Sequence, residues 1–165
     1  MELVLVKKMK IKVDYRKKIT ELADAMVKKG EHFVSEYDED INDLNFPLDS
    51  IDGLMKFDVN IYLPKNKGVD SFTTADVLTC LKKEIEDNYP NAFLGTIEGL
   101  LKIGIKFEHG LIAFGSKLKP KDEFSSLAVP AISRRCGSML LWMNDYDRKW
   151  TGTDWYVFLM KAVKS

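Results

Sequence analysis

Hydrophobic positions recur along this chain with two distinct periods. Met9, Ile11, Val13 and Tyr15 alternate with Lys10, Lys12 and Asp14, the period of two of a strand with one wet face. Residues 3–6 extend that ribbon or form a strand before it. Ile19, Leu22, Ala23, Met26 and Val27 then sit at i, i+3, i+4, i+7 and i+8, which is one continuous helical stripe. Lys28 and Lys29 suit the C-terminal end of its dipole, and Gly30 is a natural stop. The period of two returns at Phe57, Val59, Ile61 and Leu63, and Pro64 ends it. A second helix is predicted from Thr73 or Thr74, where Thr73 and Asp76 have the spacing of a capping box. Val77, Leu78, Leu81 and Ile85 form its apolar stripe, and Pro90 closes the region.

Elsewhere the pattern admits more than one assignment. Residues 31–53 are irregular: 32–37 fit a short strand or a continued helix, and the acidic, turn-rich passage after them predicts a loop with one short helical turn at most. Residues 92–99 fit helix or strand. Leu101, Ile103, Ile105 and Phe107 alternate with Lys102, Gly104, Lys106 and Glu108, so a strand is predicted there. The E-H-G that follows predicts a hairpin into L-I-A-F, with Gly110 at positive φ. Residues 117–123 read as a charged connection containing Pro120, and 124–135 as one or two helical turns interrupted by Pro130. Residues 139–143 and 155–160 are apolar on successive positions, so both faces of each run should be covered. They are predicted to pair as a C-terminal hairpin around a long loop.

The order is β-α-β-α-β-β, then a short helix and a β-hairpin. It predicts an α+β fold with a mostly antiparallel sheet and two main helices, in one domain over 1–165. A ferredoxin-like core is one arrangement that fits.

Composition narrows the function classes. The 165 residues are 45% hydrophobic with formal net charge +0, so a folded core is expected and bulk attraction to nucleic acid or anionic membrane is not. Cys80 and Cys136 have no metal or redox spacing, and no apolar run approaches the roughly 20 residues of a membrane span. The N-terminal apolar run is too short for a signal peptide. The expectation is a cytoplasmic protein with reduced thiols, no membrane contact, no cofactor and no metal, its oligomeric state left open. No phosphate-loop, dinucleotide, zinc-protease or nucleophile-elbow motif occurs. A calcium loop starting at Asp38 fails, because its sixth position is Asp43 instead of Gly and its last is Asp49 instead of Glu.

Three constellations carry candidate chemistry. The first is the Trp/Arg concentration: Trp142, Trp150 and Trp155, with three of the four arginines (Arg134, Arg135 and Arg148) beside them. Trp142 and Trp155 are expected in the core, opposed across the hairpin. Arg134, Arg135, Tyr146, Arg148 and Trp150 are then the candidate binding surface, with Trp150 exposed at the loop tip. This supports the leading expectation, a small non-enzymatic binding protein of accessory or inhibitor type, acting through protein–protein contact. The second constellation is basic. Lys8, Lys10 and Lys12 share one strand face, and Lys7, Arg16, Lys17 and Lys18 surround it, with Asp14 the one acid between. Nucleic-acid binding through Lys8, Lys10, Lys12 and Arg16 is the alternative it supports. Against that stand the absence of interleaved aromatic residues in this stretch and the ordinary use of lysines to keep a sheet edge from pairing. The third is a Cys/His-dependent hydrolase, with Cys136 made acidic by Arg134 and Arg135, and His109 or His32 as base. Small buried thiols and surface histidines are the ordinary reading of the same residues. Asp145, Asp147 and Asp154 suit a metal or a hydrolase, and equally a tight loop.

Overall fold

The last strand is the one around which the others assemble. In the computed structural model, β9 (Trp155–Ala162) is apolar on successive residues and buried on both sides. It pairs antiparallel with β2 (Leu54–Lys65), parallel with β5 (Gly110–Ile112) and antiparallel with the two-residue β4 (Phe93–Leu94). β1 (Glu2–Asp14) extends the sheet beyond β2, and β6 (Ala128–Arg135) and β7 (Ser138–Asp145) extend it beyond β5. The path β1-β2-β9-β5-β6-β7, with β4 beside β9, makes a seven-stranded, mostly antiparallel sheet. A second sheet of two strands pairs β3 (Ser71–Thr73) with β8 (Lys149–Thr151). The helices are α1 (Ile19–Lys29), α2 (Thr74–Asp87) and α3 (Ile97–Gly104). The structure describes residues 1–29, 37–47, 53–104, 106–120, 122–123, 126–135, 138–151 and 155–164. The fold is α+β, and none of its described helices is long and apolar enough to cross a membrane.

The alternation of β9 explains the layering. Phe158 and Met160 point into a core shared with Ile11, Val13, Phe57, Val59 and Ile61 of the neighbouring strands and with apolar residues of α1 and α3. Val157 and Leu159 point to the other side, into a core with Tyr62, Phe72, Val77, Leu81, Phe114 and Trp150, which α2 and the small sheet cover. Burying a strand on both faces needs a layer on each side, and here the layers come from different parts of the chain.

Several predicted elements stand. Ile19, Leu22, Ala23 and Met26 of the α1 stripe are buried, the α2 stripe is buried at Val77 and Leu81 and half-buried at Leu78 and Ile85, and Thr73 caps α2 by accepting from the Asp76 N–H at 3.2 Å. The cap of α1 comes from afar. Asp43 accepts from the Thr20 N–H at 3.1 Å, so the acidic passage supplies the anion that the helix start favours. Among its described residues that passage is turns without helix or strand, as expected, yet it is anchored to the core. Ile41 and Phe46 are buried in the core, and Asp38 covers the outer edge of β7 by donating its N–H to the Leu141 carbonyl and accepting from Met143 N–H.

Four expectations are corrected. The alternation at Leu101 and Ile103 belongs to α3, not to a strand; the helix is buried nearly all round, so apolar residues fall on every side and mimic a period of two. With the strand goes the hairpin: Gly110 opens β5 and is not among the positive-φ glycines of the described residues, which are Gly53 and Gly68. Residues 128–135 form β6 instead of helical turns, and the Pro130 carbonyl accepts from Ala113 N–H just past the end of β5. The two C-terminal apolar runs do not pair with each other, since β5 and β6 lie between β7 and β9. A ferredoxin-like core finds no support in this path. There β1 and β2 would be parallel and separated, whereas here they are antiparallel neighbours.

Glycines allow close approach in α3 and in the segment after β5. A Cβ on Gly99 would overlap the Met160 thioether, a side chain able to turn aside. At Gly115 a Cβ would stand 2.8 Å from the Gly95 carbonyl oxygen and closer still to that of Leu94, which are backbone and cannot. Gly115→Ala is expected to cost about 1–3 kcal/mol, and Gly99→Ala less, by urea denaturation. Equal costs would contradict this packing.

Candidate functional site

The structure divides the Trp/Arg concentration differently from the sequence expectation. Trp150 is fully buried, and Trp142 is 45% exposed on β7. The segment after β7 turns back so that β8 pairs with β3, which sets Trp150 opposite Phe72. Its indole is stacked with Phe72 at 6.4 Å and edge-on to Phe114 at 5.9 Å and Trp155 at 5.1 Å. Its Nε1–H donates to Thr74 Oγ1 at 3.0 Å, and the Thr74 hydroxyl donates in turn to the Tyr146 carbonyl. Trp150 therefore presents no face to a partner. It had looked exposed because its sequence neighbours are polar, but the pairing of two short strands, invisible to local pattern, brings aromatic rings to it.

Arg148 belongs to the same cage. Its guanidinium lies 4.9 Å from the centre of the Trp150 ring and 6.0 Å from that of Trp155, and its Nη1 donates to Asn144 Oδ1 at 2.8 Å. It seals the indole from outside. The Tyr146 ring meets Phe114 edge-on and carries the Lys117 ammonium at 4.8 Å. Tyr146, Arg148 and Trp150 are thus brought together. Arg134 and Arg135 are not: they pair with Met139 and Ser138, at the opposite end of the β6–β7 hairpin from Ala128 and Asp145. Seven strand residues separate those ends, about 23 Å. The side chains of Arg134 and Arg135, like Cys136, His32 and Asp154, lie outside what the structure describes.

The lysine stripe is where the sequence placed it. Lys8, Lys10 and Lys12 are exposed on the face of β1 opposite Ile11 and Val13, and β1 is the outer strand of the sheet. What sequence alone missed is the company they keep. A cavity of about 640 Å³ is lined by Lys10, Lys12, Lys56, Lys102 and Lys106, with Ile11, Phe57 and Val163 as its apolar part. No carboxylate is among the described residues lining it. Lys56 comes from β2, where it stands opposite Lys12, and Lys102 from α3. Their only sequence signal was a lysine at the wet position of each of two separate apolar alternations.

Nearby charges are partly engaged. Lys10 Nζ is 3.5 Å from Asp58 Oδ1, an exposed pair of little energetic weight. Arg16 is committed to Asp14 through both carboxylate oxygens, at 2.8 and 3.0 Å. This hydrogen-bonded guanidinium holds the Asp14 carboxyl below its ordinary range. Arg16, a candidate for phosphate contact by sequence, is thus half of an ion pair. Tyr89 marks where the cover from the α2 side ends: its hydroxyl donates to the Asp58 carbonyl at 3.2 Å, Lys161 lies 5.3 Å over its ring, and burial pushes its own ionisation up.

His109 is exposed and stacked on Tyr156, their ring centroids 5.1 Å apart and 25° from parallel. Among the described residues no three His, Cys, Asp or Glu side chains gather as metal ligands. Comparison with protein-family models, curated proteins and solved structures finds no match to this chain.

Trp150→Ala is expected to destabilise the fold by about 3–5 kcal/mol by chemical denaturation, as removal of a large core side chain does. Thr74→Val leaves the indole N–H and the Tyr146 carbonyl without their partner, at about 1–3 kcal/mol. Near-native stability of Trp150→Ala would contradict its place in the core.

Proposed function

We propose that this chain is a non-enzymatic binding protein whose ligand is a nucleic-acid strand, held by its phosphates along the lysine-lined cavity. The observation that carries this reading is the convergence of Lys10, Lys12, Lys56, Lys102 and Lys106 on one cavity. Keeping a sheet edge from pairing accounts for Lys8, Lys10 and Lys12 on the outer strand. It gives no reason for Lys56 on an inner strand or Lys102 on a helix. A net charge of +0 makes such a concentration a local feature, not a consequence of a basic chain. Ammonium groups act on phosphate as point charges, and the affinity they supply comes from release of counterions. A cytoplasmic setting belongs to the same reading.

Binding is therefore expected to depend steeply on salt. Contact of all five lysines with a single strand gives a slope of log K against log salt of about −3.5, or about 100-fold between 50 and 200 mM. The triple variant Lys10→Gln, Lys12→Gln, Lys56→Gln is expected to reduce that slope by about 2 in fluorescence anisotropy. An unaltered slope, or no binding of labelled strands at low salt, overturns the proposal. So does capture of acidic polypeptide in place of nucleic acid.

Protein–protein contact, the leading expectation from sequence, keeps one specific observation in its favour. Trp142 is 45% exposed on the outer strand β7, where an indole offers a large and rigid contact. The surface moves from Trp150 to Trp142. Capture of a partner that Trp142→Ala abolishes and the triple lysine variant leaves intact is expected on this second reading. Equal capture by Trp142→Ala removes it. Of the residues of the hydrolase alternative, Cys136 lies outside the described residues and His109 lies against the Phe107 and Tyr156 rings.

A further inference from the structure

The lysine cavity does not end at Lys106. The same lysine lines a second hollow of about 280 Å³, together with Lys7, Phe107, Glu108, His109 and Tyr156. Three rings are ordered there. Phe107 is buried and stands edge-on to His109 at 5.5 Å and to Tyr156 at 5.1 Å. The His109 imidazole lies nearly parallel on Tyr156. A buried ring thus fixes the angle of two more exposed ones, and the outermost plane is an exposed imidazole. Lys7 lies 6.0 Å over the Phe107 ring, so an ammonium stands beside the aromatic group.

We infer that this aromatic shelf is a base-stacking subsite, and that the strand held by the lysines is single-stranded. The inference rests on the nucleic-acid reading and adds to it the state of the strand. Flat rings beside a cationic track are how non-specific single-strand binders gain affinity, because every base has a π face. In a duplex each base is already stacked on its neighbours, and the plane of His109 offers it nothing. Glu108 sharpens the orientation. Its carboxylate disfavours a phosphate within the small hollow, which leaves the base as the part that enters. The aromatic residues missing from the N-terminal lysine stretch are therefore supplied by residues 107, 109 and 156, which the fold brings beside Lys7.

The test compares three labelled probes of equal length on the whole chain: oligothymidylate, an abasic phosphodiester strand, and duplex DNA. Oligothymidylate is expected to bind about 5- to 150-fold more tightly than the abasic strand. His109→Ala, at an exposed position, is expected to erase that preference while leaving abasic binding unchanged, and His109→Phe to restore it. Equal affinity for the base-bearing and abasic strands overturns the stacking subsite and leaves the lysine track standing. So does a preference that survives His109→Ala, or duplex bound as tightly as oligothymidylate. Failure of all three probes to bind at low salt overturns the track and the subsite together.

Discussion

Everything in this structure answers to the burial of one strand on both faces. Residues 155–160 carry six apolar side chains in succession, and a sheet strand sends alternate ones to opposite sides. Half of β9 would be wet unless a layer stood on each side. α1, α3 and the acidic passage supply one, and α2 with the β3–β8 ribbon supplies the other. Since β9 comes last in the chain, every one of its strand pairings is long-range in sequence. The sheet closes around it only when β9 is in place.

The same requirement decides where the molecule has a working surface. Cover on the α2 side follows the apolar residues of β9 and stops near Tyr89. Past that point the outward positions of β1 and β2 are mostly polar, with Lys10 opposite Asp58 and Lys12 opposite Lys56, and the one apolar side chain among them, Leu54, stays exposed. α3 adds Lys102 around the outer strand, and Lys106 follows two residues beyond the helix. The cationic cavity is thus the complement of the core: it lies where the second layer is not needed. Its aromatic neighbour arises from the other layer, where Phe107 is core and its edges hold His109 and Tyr156 in place.

How much of this the sequence disclosed follows from the range of each interaction. α1, α2, β1 and the middle of β2 were legible because their period is local and one face of each is wet. α3 was misread because a helix buried on all sides loses its stripe. β6 was misread because Pro130 suggests a break, yet its carbonyl still takes part in the sheet. Trp142 and Trp150 exchanged roles for one physical reason. Exposure is set by which strands neighbour a residue in space, and Phe72 and Phe114 lie far from Trp150 in sequence while Trp155 belongs to another strand. In the site, Lys8, Lys10 and Lys12 were visible as a stripe. Lys56, Lys102 and His109 were not, because convergence of β2, α3 and the residues after it is a property of packing.

The central claim is that one lysine-lined cavity is where a nucleic-acid strand sits. It is tested most directly by lysine footprinting: acetylation of the folded protein with and without a single-stranded oligonucleotide, read by mass spectrometry. Protection concentrated at Lys10, Lys12, Lys56, Lys102 and Lys106, with Lys82, Lys83 and Lys119 still reactive, is the result expected. Uniform protection, or protection centred on lysines outside the cavity, would contradict the account.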